Sequence, residues 1–422
     1  MHHLTQQVPT QRVVLTPTPP RRRRTPRPHH RSVCRASSSS SSPDPQPAGT
    51  TRGSLGVLTK TGKLVPQGLL VRVAKTAWNF VWFVFMNELA PQSKDKGKYT
   101  RPAYSYLSTD VDSFPVIDNA DPAADSRYVL LVGNPCPWCH RVTMAAKIRN
   151  ASFIKVVRLV DDAEKASRGG WIFPEDDKFL GEFRDLRELY DAFCGNEDGF
   201  EGRCTAPLLV DVVERKIVSN ESSDVIEALD RIHVDGVSSG VRLRPPALID
   251  EIDAFNDEIF DRLNNGVYLC GFSTTQTAYD ESAAALFETL ADLDARLAND
   301  RFLLGDRFCD ADLRVFATIS RFDAVYSGLF KCVKRVNEYP NLERWFLECA
   351  RIPIGNGERL WDTVDVDDCR RSYFEQLFPL NPGGLVPAAP TAEQVFKRGV
   401  VDGDGDGDGD ETTTRLAVFF VR

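Results

Sequence analysis

Between Tyr128 and Ile232 the apolar positions follow two periods in turn. YVLLV at 128–132 is an unbroken apolar run, the pattern of a strand buried on both faces. Gly133 to Pro137 interrupts it as a turn, a helix is predicted from about Trp138 to Arg149, and FIKVVRLV at 153–160 reads as a second strand. Phe179, Phe183, Leu186, Leu189 and Tyr190 then recur at helical spacing, which predicts a helix over about 177–193. APLLVDVV and KIVSN form a strand pair around a charged turn, and ESSDVIEALDRI closes the segment as a helix. After a linker at about 233–246 the period stays helical. Leu248, Ile252, Phe255, Ile259 and Leu263 share one face, and QTAYDESAAALFETLADLDARLA and DADLRVFATISRFDAVY continue without a strand pattern.

The order strand, helix, strand, helix, strand pair, helix is that of a thioredoxin-like domain, here over 127–232. The final strand pair needs only a turn, so a mixed four-stranded sheet is expected. Residues 247–390 predict an all-α domain of roughly five to seven helices, which makes the chain α+β. Residues 53–126 form an N-terminal extension whose apolar stretch, VPQGLLVRVAKTAWNFVWFVFMNELA, predicts an amphipathic helix at about 68–88. Its uncharged run is about half a bilayer span, so no transmembrane segment is expected. The helix either packs on the body or lies on a membrane surface; packing is favoured because its polar face carries few Lys and Arg. Residues 391–422, with DGDGDGDGD, read as a disordered acidic tail. The repeat lacks the spaced glutamate and flanking helices of a calcium loop.

Composition adds a leader and removes a class of partner. Residues 1–52 hold nine Arg, no Lys and a single acidic residue, Asp44, with RRRR at 21–24 and six consecutive serines at 37–42. Such a stretch cannot build a core and has no apolar secretory segment, so it reads as a disordered transit peptide. Val33-Cys34-Arg35-Ala36 resembles a plastid processing site, which favours a chloroplast stroma over a mitochondrial matrix or the cytoplasm. Without those nine positive charges and one negative, the net charge of −8 becomes −16, and nucleic acid is not expected as a partner. The ten cysteines have no regular spacing, so most are expected to be small buried hydrophobes.

The chemistry concentrates in GNPCPWCHRV at 133–142. A Cys at the first turn of a helix faces unpaired backbone N–H groups and the positive end of the helix dipole, both of which favour a thiolate. Pro137 suits that turn because no amide donor is needed there. Cys136 is the candidate nucleophile. Cys139 lies one turn on and is expected to point inward with a higher pKa, as a bystander or weak resolving thiol. A zinc site would need further ligands, and outside the N-terminal arm the only histidines are His140 and His233, so no metal is expected. His140 is expected to be structural and Arg141 solvated or salt-bridged.

Two more segments could complete a ligand site. Ala206-Pro207 precedes a strand, and a cis proline there would offer the backbone of Ala206 to an extended peptide, although proline is common at a strand's first residue without any ligand. Asn220-Glu221-Ser222 ends a strand and starts a helix, where a hydroxyl and free amides can hold a carboxylate or serve as an ordinary cap.

Four segments in this order, NPCPWCHR, GGWIF, GRCTAPLLVD and IVSNESSDVI, resemble the glutathione transferase superfamily and, more closely, its Xi class, the glutathionyl-hydroquinone reductases. LNNGVYLCGFSTTQTAYDESAAALFETL, RFLLGDRFCDADLRVFATISRFDAVY, FKCVKRVNEYPNL and NPGGLVPAAP continue the resemblance through the second half, so that it covers about residues 87–390. It implies a glutathione-transferase C-terminal domain, a homodimer, glutathione as co-substrate with no permanent cofactor, and aromatic glutathione conjugates as substrates. By the same resemblance Cys136 is the nucleophile and Trp171 packs on glutathione. Arg203 and the Ala206-Pro207 backbone hold it, and Glu221 and Ser222 take its γ-glutamyl end. Tyr268, Tyr326 and Tyr373 line the quinone pocket, with Tyr268 and Tyr373 close to the reacting sulfur.

The chain departs from that pattern at several positions. Cys139 replaces the usual Ala, giving a glutaredoxin-like CPWC. Ala206 replaces a Val, Arg371-Ser372-Tyr373 replaces His-Tyr-Tyr, and Cys309 replaces a Ser or Thr helix cap at a modest expected cost in stability. The expected activity is removal of glutathione from glutathionyl-hydroquinones through a mixed disulfide. An omega-like or glutaredoxin-like thiol transferase or dehydroascorbate reductase is the alternative enzyme, and a non-catalytic binding module the alternative outside enzymes.

Overall fold

The computed structural model describes residues 67–93, 97–102, 127–162, 164–166, 170–175, 180–231 and 239–396. The expected transit peptide and the acidic repeat lie outside these residues. The first described element is α1 (Gln67–Leu89), followed by β1 (Tyr128–Gly133), α2 (Pro137–Ile148), β2 (Ile154–Asp161) and β3 (Trp171–Ile172). Then come α3 (Leu186–Phe193), β4 (Leu208–Asp211), β5 (Lys216–Ser219) and α4 (Ser222–Arg231).

The sheet runs β3-β2-β1-β4-β5, with β1 parallel to β2 and every other pairing antiparallel. It therefore has five strands rather than four. The addition, β3, is two residues long, too short to leave a periodic signal. β1 is buried at all six positions, as its unbroken apolar run requires. The helix expected from about 177 begins only at Leu186, because Asp185 caps it by accepting from the Glu188 amide at 3.1 Å. Phe183 stays in the core just ahead of the cap, so its helical spacing was coincidental.

The second half is helical: α5 (Ile249–Ile259), α6 (Gly266–Gly271), α7 (Gln276–Leu297), α8 (Asp310–Arg321), α9 (Ser327–Leu329), α10 (Pro340–Ala350) and α11 (Val366–Gln376). A small hairpin, β6 (Pro353–Gly355) with β7 (Glu358–Arg359), interrupts it; its turn falls at Asn356-Gly357, and its strands are too brief to alternate visibly. Single wide turns at Phe260–Asn264 and Phe322–Tyr326 interrupt the helical path beside the site, the first closed by Asn265 N–H to Phe260 O at 2.7 Å. The expected tail also starts later than 391. α12 (Ala392–Phe396) buries Val395, and Phe396 stacks on Trp361 with ring centroids 5.1 Å apart.

α1 departs furthest from expectation. Only its C-terminal end packs: Met86 and Ala90 are fully buried, Trp82 Nε1 donates to Pro379 O at 2.9 Å, and Phe85 meets the edge of Phe378. Most of its other large apolar side chains face outward, up to Phe80 at 69% exposure. The favoured expectation of a helix packed on the body holds for its last two turns alone.

Candidate active site

The site forms where β1 ends and α2 begins. Cys136 is the cap of α2, with extended backbone, and Pro137 occupies the first helical position. The Cys139 amide donates to Cys136 Sγ at 3.4 Å. Burial by itself would push the Cys136 thiol up. The Cys139 thiol and amide, the charge of Arg321 and the Trp138 amide outweigh that and bring it down to about 7. Cys139 is buried and its thiol stands well above the ordinary value, raised by burial and then by its partner Cys136. The two sulfurs are therefore unequal, with the charge on the outer one.

The helical half holds this turn from behind. Arg321, at the end of α8, is fully buried and donates to Asn134 O at 2.8 Å, Pro135 O at 2.9 Å and Ala317 O at 2.9 Å, and it lies 2.9 Å from His140 Nδ1. Among the described residues no carboxylate pairs with it. A buried guanidinium with only neutral hydrogen-bond partners leaves its charge uncompensated, and it favours the thiolate form of the nearby Cys136. α11 adds a second clamp: Asn134 Nδ2 donates to Asp368 Oδ2 at 2.7 Å, and the Asp365 amide donates to Asn134 Oδ1 at 3.0 Å. His140 Nε2 lies 2.7 Å from Thr363 Oγ1, and burial holds its pKa well below the usual value, so it serves as a neutral structural link.

In front of Cys136 opens a cavity of about 170 Å³ walled by Pro135, Cys136, Pro137, Asp161, Trp171, Tyr268, Phe272, Ser372, Tyr373, Gln376 and Leu377. An apolar cavity of about 150 Å³ is enough for a benzene ring, so one aromatic ring fits. The hydroxyls of Tyr268 and Tyr373 lie 2.6 Å apart. Burial raises both phenols well above the ordinary value, so they remain O–H donors through neutral pH. Tyr326, expected beside them, is not on this wall. It is wholly buried behind the other two, with centroids 6.0 Å from Tyr268 and 5.8 Å from Tyr373, and burial pushes its phenol up to about 12. The wide turn at Phe322–Tyr326 carries its ring into this second row.

The remaining expected residues surround the sulfur in two groups. Ala206-Pro207 is cis, and Cys136 Sγ approaches Ala206 O at 3.7 Å. Trp171 stands over Gly133: a Cβ added there would lie 2.1 Å from the indole ring, so only glycine leaves room for the tryptophan at the rim. Glu221 and Ser222 form a polar corner at the start of α4. Arg203 is exposed at the surface, and among the described residues no hydrogen bond or ion pair joins it to that corner.

Arg141, expected to be solvated or salt-bridged, is salt-bridged to Glu221 and only 2% exposed; its place in the site is what the sequence did not show. Its Nε donates to Ser222 Oγ at 2.9 Å and its Nη2 reaches Glu221 Oε1 at 3.3 Å. Arg314 from α8 adds a bond to Ser223 Oγ at 2.9 Å while Asp310, fully buried, holds its other end. Ser372 and Asp161, paired at the cavity wall, were likewise not anticipated as a pair. Arg141 follows CPWCH directly, but nothing local in the sequence couples it to residues 80 positions away.

Comparison with known proteins places this geometry among relatives. The family "Glutathione S-transferase, C-terminal domain" matches residues 276–348. The glutathionyl-hydroquinone reductase PcpF of Sphingobium chlorophenolicum is 36% identical over 266 residues, 63% of this chain and 83% of that protein. The glutathione-bound structure of YqjG, a glutathione transferase homolog from Escherichia coli K-12, is 33% identical with a TM-score of 0.58, covering 68% of this chain and 91% of that one. The glutathione S-transferase Xi of Phanerochaete chrysosporium is 31% identical with a TM-score of 0.60, covering 71% and 94%.

Proposed function

The chain belongs to the glutathionyl-hydroquinone reductases, the Xi class of glutathione transferases, and from that membership we propose that it removes glutathione from glutathionyl-hydroquinones through Cys136. The observation that carries the proposal is a thiolate with a pKa of about 7 opening onto a ring-sized cavity roofed by a tyrosine hydroxyl pair. The Cys136 thiolate attacks the thioether sulfur, the sulfur–carbon bond breaks, and the ring leaves with the bonding electrons and takes a proton. An electron-rich ring is a poor leaving group, so proton donation or hydrogen bonding from Tyr268 and Tyr373 assists the step. The resulting Cys136–glutathione disulfide is cleaved by a second glutathione. That releases glutathione disulfide and regenerates the thiolate; overall the ring carbon is reduced and two glutathione sulfurs are oxidised.

For glutathione itself, the backbone of Ala206 at the cis Pro207 offers strand-like pairing, Trp171 packs on the tripeptide, and Arg203 supplies a cation at the surface. Glu221 and Ser222, fixed by Arg141, receive the γ-glutamyl end. The Arg-rich leader supports a chloroplast stroma, and class membership supports a homodimer.

The decisive experiment mixes the protein with a benzohydroquinone–glutathione conjugate, whose single ring matches the cavity, and glutathione. Free hydroquinone and glutathione disulfide in equal amounts are expected; no release despite normal glutathione binding would leave the protein a binding module. Steady-state rates add a pH test. Because the thiol is lowered to about 7, kcat/KM should fall about tenfold per pH unit below that value and level off above it. A profile still rising steeply above pH 8 would mean that the reactive sulfur is not the stabilised one. Gly133→Ala is expected to displace Trp171 and raise KM for glutathione by roughly tenfold with kcat nearly unchanged, since uniform binding alone is lost.

A further inference from the structure

α1 is the one described helix long and apolar enough to cross a membrane, and in the structure it is neither buried nor one-sided. Val71, Val73, Trp78, Phe80, Val81, Phe83, Val84 and Phe85 are all more than 40% exposed. At 3.6 residues per turn they cover an arc of about 240°. The remaining sector holds Arg72, Lys75 and Asn79 in the first half and Trp82 and Met86, which seat on the body, in the second. Cations and protein body therefore share one side of the helix, and apolar side chains occupy the rest.

We propose that α1 docks the protein onto an anionic lipid bilayer, lying along the headgroup boundary with its apolar arc in the acyl chains. A protein groove takes an apolar stripe about 100° wide, as does a paired helix of a second copy, and either would leave more than half of this arc in water. Lipid covers the whole of it. Charge agrees: from Pro45 to Asn87 there are five Lys and Arg and no Asp or Glu, in a chain whose net charge is −8. Such a basic segment is complementary to anionic headgroups and to little else on an acidic protein. Tryptophan and phenylalanine on the exposed arc with Arg72 and Lys75 on the opposite side suit an interfacial helix, although the polar face is less basic than is usual for one, so the wide apolar arc carries the argument. Crossing is ruled out by its ends. Met86 and Ala90 are sealed in the protein, and the uncharged run from Thr76 to Asn87 spans about 18 Å, short of a hydrocarbon core of about 30 Å. The seat of α1 on Phe378 and Pro379 adjoins Gln376 and Leu377 of the cavity wall, which brings the docked helix beside the site.

The full-length protein is tested by co-sedimentation with vesicles of phosphatidylcholine containing phosphatidylglycerol and, in parallel, of phosphatidylcholine alone. Binding to the anionic vesicles is expected, weaker by about tenfold on neutral ones and at high salt. Phe80→Asp/Val84→Asp, two exposed positions away from the cavity, should abolish vesicle binding while leaving hydroquinone release unchanged, which also shows that the variant folds. The proposal is overturned if the wild-type protein stays in the supernatant with anionic vesicles, or if the double variant sediments with them as well as wild type does. It is equally overturned if, without lipid, the double substitution converts a dimer to a monomer, since a second copy would then cover the helix. None of these readouts depends on which conjugate the cavity accepts.

Discussion

Cys136→Ser is expected to lower turnover of a glutathionyl-hydroquinone by roughly 10³-fold or more while leaving glutathione affinity within a few-fold of wild type. The reasoning is that the hydroxyl has the same place at the head of α2 but stays protonated where the thiol, lowered to about 7, is half ionised at neutral pH. The amide of Cys139 and the charge of Arg321 that stabilise a sulfur anion cannot bring a serine hydroxyl into the same range. Intact mass after exposure to conjugate separates this from simple damage. Wild type should gain one glutathione, removable by reductant, and the variant none. Full activity in Cys136→Ser would end the assignment of Cys136 as nucleophile. Cys139→Ala provides the contrast. Its thiol is raised well above the ordinary value, so the variant should keep most turnover and show only an upward move of the pH profile from loss of its bond to Cys136. A collapse of glutathione-dependent turnover in Cys139→Ala would instead favour a dithiol route.

The second large effect is expected at Arg321→Met. The substitution conserves much of the buried volume and removes a guanidinium that carries three backbone bonds to the catalytic turn and its own helix. Two consequences follow in opposite directions for stability, because a buried charge disappears while its former acceptors are left unpaired, each at about 1–3 kcal/mol. The kinetic consequence has one sign. Without that positive charge the Cys136 pKa moves up, so activity at pH 7 should fall by about tenfold or more and recover in part at higher pH. Arg321→Lys, which retains the charge but not the planar fork, should restore the pH profile more than the maximal rate. Were Arg321→Met to lose activity equally at every pH, the arginine would be a support for the turn alone.

The two halves of the fold were visible in the sequence to different degrees. β1 was, because six consecutive buried positions leave an unbroken apolar run, and β2 was, because its apolar residues recur through IKVVRLV although only Ile154, Val157 and Leu159 are buried. β3 was not, since a two-residue strand is defined by pairing Val160 with Ile172 and Asp161 with Trp171 rather than by composition. The early start expected for α3 failed because Phe183 keeps a helical spacing although it lies ahead of Asp185, the cap at which the helix begins. In the site, Cys136 and the cis Ala206-Pro207 were accessible from local motifs. The backing of Cys136 by Arg321, the seating of Tyr326 in a second row and the exposure of α1 were not.

What the sequence determined by itself was the alternation of periods, the position of a thiol at a strand-to-helix junction and the asymmetry between Cys136 and Cys139. These depend on backbone geometry within a few residues, where spacing maps directly onto direction and burial. Only the tertiary structure decided which distant groups meet that thiol. Arg321 reaches Pro135 across 186 positions and Tyr268 meets Tyr373 across 105, while α1 keeps its apolar arc because the body offers it no more than the seat beside Phe378. Such pairings follow from how helices pack on the sheet, and packing selects partners by shape and by the desolvation of whole faces, which no local pattern of residues records.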